Sequence, residues 1–155
     1  MRALKLVQHL RADADGMSER LLEKIRNSQR CNELLRRVPA DGHKRYAVEV
    51  YRDLLEWVKS ETDSLIEARD VELGRIREQQ GVPFSQLFWA VCITRDFPCD
   101  YIQQECLIDE PVESWGCVML LRSLNQFFDR ALYFSLTGYQ NASTREFVTP
   151  FAVRL

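Results

Sequence analysis

Two histidines, five cysteines and a few adjacent carboxylates are the only side chains here with an obvious capacity for nucleophilic, acid-base or ligand chemistry. His9 lies in a polar leading segment, and His43 stands beside a helix start next to Lys44 and Arg45. Both read as solvated surface residues. Globin-type haem ligation calls for a histidine on a helix well past the midpoint, and none follows His43, which leaves only Cys92 or Cys106 as a haem ligand. The same gap removes Ser/His/Asp and Cys/His catalysis. The carboxylate pairs Asp13/Asp15, Glu61/Asp63 and Asp109/Glu110 fall in turn-like stretches and read as caps and solubilising turns, where negative charge beside a helix start is favourable. The six glycines are scattered singly, so no loop cradles a phosphate. No catalytic, cofactor-binding or metal-ligating residue is assigned, and the chain reads as non-enzymatic.

The cysteines support that reading. Cys31, Cys92, Cys99, Cys106 and Cys117 are odd in number and lack the CxxC spacing of a zinc site or redox pair. Cys92, Cys99 and Cys106 fall seven apart along one side of a helix, but seven residues rise about 10 Å, while thiolates on one zinc lie within roughly 4 Å. Buried small hydrophobes are the expectation, with a redox-sensing thiol as the alternative. Two further polar sites interrupt apolar runs: Arg95 with Asp96, and Asp129 with Arg130. Burying either unpaired is costly, so ion pairing or exposure is expected; Arg95 and Asp129 are the candidate buried polar residues. The alternative is that they anchor a small ligand inside the bundle.

The elements that carry these residues are helices. The stretch from Phe127 to Tyr139 closes a helix apolar on most of its circumference, with a polar strip of only Arg122, Asn125, Gln126, Asp129 and Arg130. A helix wet on so narrow a face must be covered by other helices or a partner chain. Residues 2–12 form a short leading helix ended by Asp13-Ala14-Asp15-Gly16, and Ser18 caps the next, which carries Leu21, Leu22, Ile25, Leu34 and Leu35 and stops at Pro39. A third opens at Asp41 or Gly42, with Ala47, Val50, Tyr51, Leu54, Trp57 and Val58 on its apolar face, and breaks over residues 59–63. A fourth, about 62–80, carries Leu65, Ile66, Val71, Leu73 and Ile76 and ends at Gly81. Pro83 starts the next, which runs to about Ile108 with a kink or interruption near Pro98. The last helix starts at Pro111 and stops at Gly138, leaving 140–155 as an extended tail. The expectation is an all-α protein with five major helices: a leading segment 1–16, a helical domain 17–139 and a C-terminal tail.

Composition sets the company this domain keeps. Of its 44 charges, 31 precede residue 81, while all eight phenylalanines follow it. The first half should wrap the second, or the second should meet another chain. A net charge of -2 gives no reason to expect nucleic acid or anionic membrane. No apolar run has the length of a membrane span and no signal peptide opens the chain, so the expected compartment is the cytoplasm.

Arg75-Ile76-Arg77-Glu78-Gln79-Gln80-Gly81-Val82-Pro83-Phe84-Ser85-Gln86-Leu87, then Trp89-Ala90 and Arg95, then Phe127-Phe128-Asp129-Arg130-Ala131 and Gly138-Tyr139 carry a resemblance. Over roughly residues 18–140 the chain resembles the N-terminal sensor domain of RsbRD-type stressosome co-antagonists, found also at the front of some histidine kinases. The resemblance implies a globin-like or related bundle without haem, usually dimeric, serving as a bacterial stress-response input module. Phe97-Pro98-Cys99 departs from its pattern, which has an uninterrupted helix there. No output domain follows within these residues, so a stand-alone member or a part of a longer signalling protein is expected. The combined expectation is a homodimer with a signalling protein partner, with Phe88, Trp89, Phe127 and Phe128 in its core or interface. The alternative is a sensor or carrier that lodges haem or a small apolar ligand among the aromatics.

Overall fold

The computed structural model describes the backbone of residues 2–106 and 111–154, and side chains over 4–106 and 115–144. It is all-helical: α1 (Arg2–Ala12), α2 (Ala14–Arg26), a 3-10 turn (Gln29–Cys31), α3 (Asn32–Arg37), α4 (Ala40–Ser60), α5 (Ser64–Gln79), α6 (Phe84–Cys106) and α7 (Pro111–Arg154). Among the described residues seven α-helices stand where five major ones were expected, because the leading helix is a full element and the segment before Pro39 breaks in two. Ser18 does not cap α2. That helix begins at Ala14, and Ser18 is buried inside it, its hydroxyl donating to the Asp15 carbonyl at 2.7 Å.

α4 keeps its predicted face: Ala47, Val50, Tyr51, Leu54 and Trp57 are buried, and Glu61 ends the helix in the left-handed region at φ 50°. α5 ends as the glycine signal requires. Gly81, at φ 74°, donates to the Glu78 carbonyl, and Val82 donates to the Arg77 carbonyl at 3.0 Å. This pair of bonds satisfies carbonyls left free by the last turn. Leu65, expected on the apolar face of α5, is exposed instead.

Two sequence signals act differently from their local meaning. α6 continues through Pro98, which is buried within it. Proline lacks the amide that would bond the carbonyl four residues back, that of Thr94. Tyr51 of α4 supplies the missing donor, its hydroxyl reaching the Thr94 carbonyl at 3.1 Å. α7 likewise does not stop at Gly138, and the backbone of the expected tail is helical to Arg154. Gly138 is needed for contact: a Cβ there would overlap the Val71 carbonyl oxygen and come within 2.9 Å of Val71 Cα. Gly74 is its counterpart on α5, where a Cβ would overlap the Ser135 carbonyl oxygen and lie 2.8 Å from Tyr139 N. α5 and α7 therefore touch backbone to backbone along a seam that includes Val71, Gly74, Ser135 and Gly138, and among the described residues they share the most extensive contact between helices.

The core is one body. Phe127 and Phe128 lie fully inside, their rings 5.1 Å apart, with Trp57 edge-on to Phe127 at 5.9 Å. The Trp57 indole donates to the Ser123 carbonyl at 2.9 Å, tying α4 to α7. Two cysteines expected to be free are bonded: Cys106 at the end of α6 forms a disulfide with Cys117 in α7. Cys31 is buried, whereas Cys92 and Cys99 are only partly so. Among the described residues no helix is long and apolar enough to cross a membrane.

Candidate functional site

The polar chemistry of the core gathers between α4, α5 and α6. Asp70 is fully buried and accepts from the Tyr46 hydroxyl at 2.9 Å and from Arg69 at 3.0 Å. Arg69 also pairs with Asp53 of α4, and its guanidinium lies 5.7 Å from the Tyr46 ring and 5.5 Å from the Phe127 ring. Burial pushes the Asp70 carboxyl above its ordinary range, against the pull of Arg69 and of the hydrogen bonds from Arg69 and Tyr46. Burial also works against the charge on Arg69, but Asp70, Tyr46 and Asp53 outweigh it and hold the group protonated.

Next to this network lies His43, only 8% exposed rather than solvated as its neighbours Lys44 and Arg45 implied. Leu34 of α3 lies close by, and both residues line the same cavity. Nε2 is buried with no hydrogen-bond partner. Burial lowers the His43 pKa to about 4, and the Arg77 and Arg26 cations add to the effect against the Leu34 carbonyl. Arg77 is itself buried, lowered by desolvation, and donates to Gln80 Oε1 at 3.0 Å. His43, Arg77, Tyr46 and Thr94 line a cavity of about 20 Å³, otherwise walled by apolar side chains of α2 to α6.

A second concavity, of about 420 Å³, opens on the surface where α1 and α2 meet α6. His9, Asp13, Arg20, Lys24, Phe97 and Tyr101 are among the residues that line it. Arg20 pairs with Asp13 at 2.6 Å, and the Lys24 ammonium sits 4.9 Å from the Phe97 ring centre.

The residues singled out from sequence separate. Phe127 and Phe128 are core, while Phe88 is exposed and Trp89 half-buried with the Arg30 guanidinium 4.1 Å from its ring. Of the two candidate buried polar residues, Asp129 is exposed and Arg95 half-buried. Arg130 rather than Asp129 makes the ion pair here, reaching Asp63 at 2.9 Å beneath the Trp57 ring. Asp13, Asp15, Glu61 and Asp63 are exposed, as caps and turns should be, whereas Asp109 and Glu110 lie outside the described residues. Arg69, Asp70, His43 and Arg77 were missed. Asp70 sits amid a run of charged residues on α5, and only its period against Ile66, Leu73 and Arg77 marks its buried face.

Two of the stretches that carried the resemblance touch, at Tyr139 and at Val82 with Phe84. The Tyr139 hydroxyl donates to the Val82 carbonyl at 2.7 Å, and its ring lies 5.3 Å from that of Phe84. They tie α7 to the connection between α5 and α6 and to the first turn of α6. Among the described residues no cluster of three or more His, Cys, Asp or Glu side chains could hold a metal ion. Family models, curated proteins and solved structures return no match to the chain.

Proposed function

We propose that the chain is a non-enzymatic input module of bacterial signal transduction, acting in the cytoplasm by self-association and by contact with a signalling protein. In this reading its bundle is a globin-like or related one that works without haem. The observation that carries the reading is where large apolar side chains remain in water. Of Leu65, Phe88, Trp115, Val118, Met119 and Tyr133, all but Leu65 belong to α6 and α7. Trp115, Val118 and Met119 follow helical spacing, so they share one face of α7, and Trp115 is 68% exposed. Exposed apolar surface gathered in this way marks interaction sites.

The core offers no comparable support for the ligand-carrying alternative. Pockets for small molecules run to about 300–1,000 Å³. The cavity that His43 lines is about 20 Å³, far below what haem or a lipid needs. Sedimentation equilibrium tests the proposal. A homodimer is expected, and Trp115→Glu with Met119→Glu should weaken it at least tenfold while the helical circular dichroism signal is retained. A wild-type chain that stays monomeric at its highest soluble concentration would sink the dimer.

A further inference from the structure

We propose that the cavity between α2, α3, α4, α5 and α6 is a binding site for one ordered water molecule, which donates a hydrogen bond to His43 Nε2 and closes a polar chain through the core. Volume is the first argument. A water needs a cavity of about 10–15 Å³ or more, and this one is about 20 Å³, room for a single molecule. Polarity is the second. Apolar cavities of this kind stay dry, but His43, whose buried Nε2 has no hydrogen-bond partner, lines this one.

The neighbouring groups give the water its remaining bonds. Arg77 carries further N–H donors besides the one spent on Gln80. The Thr94 hydroxyl already donates to the Ala90 carbonyl at 2.8 Å, and the Tyr46 hydroxyl to Asp70. Each oxygen keeps lone pairs that can accept. A water in the cavity therefore donates to Nε2 and to one of these hydroxyl oxygens, and accepts from Arg77. The chain that results runs from Asp53 through Arg69, Asp70 and Tyr46 to the water and on to His43. No cation is placed here, since Arg77 stands beside the imidazole.

Nuclear magnetic resonance on the full chain with ¹⁵N-labelled histidine tests this. Long-range ¹H–¹⁵N correlation should show His43 as the Nδ1–H tautomer, with Nε2 shifted as a hydrogen-bonded acceptor. The His43 ring protons should also give a cross-relaxation peak to a long-lived water, and the exposed His9 ring should give none. His43→Phe should abolish that peak by removing the acceptor and filling the space. An Nε2–H tautomer, an Nε2 shift of a free lone pair, or a folded wild-type protein without the water peak would each overturn the site. These wild-type readings decide the matter even where the Phe variant does not fold.

Discussion

At the scale of single residues, burial and not residue type separates the two histidines. His9 stays on the surface, and His43 becomes part of the core because side chains of α2, α3, α5 and α6 surround it. The consequence is a pH dependence with a definite sign. The unfolded chain protonates this imidazole near 6.5 and the folded chain at about 4, so between those values the unfolded state binds more protons. Stability is full above pH 6.5 and falls as the pH drops toward 4, by about 3 kcal/mol in all for a group of this depth. Urea midpoints compared between wild type and His43→Phe at pH 7 and pH 4.5 check it: the variant should lose less stability across the interval. Equal losses would mean that His43 titrates normally. None of this was legible in Gly42-His43-Lys44-Arg45, where the neighbours are solvated and the histidine is not. Asp129 failed in the opposite way, because interruption of an apolar run says nothing about which side of the helix the interruption faces.

At the scale of elements, identical residues do opposite things. Gly81 ends α5 through its positive φ, a property of the local chain, and was read correctly. Gly138 looks the same in sequence yet lies within a continuous helix, where its missing Cβ admits the Val71 carbonyl. A glycine inside a helix costs about 1 kcal/mol relative to alanine, so the seam must return more than that. Gly138→Ala and Gly74→Ala should each destabilise the protein by about 1–3 kcal/mol, since overpacking outweighs the gain in helix propensity. Gly116, with nothing within 4 Å of a built Cβ, is the internal control. Gly116→Ala should stabilise by about 0.5–1 kcal/mol. Thermal and urea unfolding of the three variants distinguish a packed seam from a mere set of weak helix formers. Pro98 teaches the same lesson, for the expected interruption is absorbed by a hydroxyl from Tyr51 on another helix.

At the scale of the molecule, the disulfide is a covalent tie between the two successive helices α6 and α7. It closes the connection from α6 to α7 and so holds the start of the longest helix against the bundle. Removing it with Cys117→Ser should cost about 3 kcal/mol by the loop-entropy estimate for a ring of this size. Alkylation of the unfolded, unreduced chain should find three free thiols, those of Cys31, Cys92 and Cys99. Five would show that the bond is absent. Thiols in the cytoplasm are kept reduced, so the count bears directly on the compartment proposed above.

The all-helical class, the apolar face of α4, the stop at Gly81 and the start beside Pro83 all follow from period, dihedral preference and a missing amide proton. These are short-range properties that a dozen neighbouring residues contain in full. The paired cysteines, the neutral buried imidazole, the Asp70 network and the helix that runs past Gly138 are of another kind. Each depends on what a different helix brings against that position, and the energy of a close contact or an unsatisfied polar group exists only once both partners are in place.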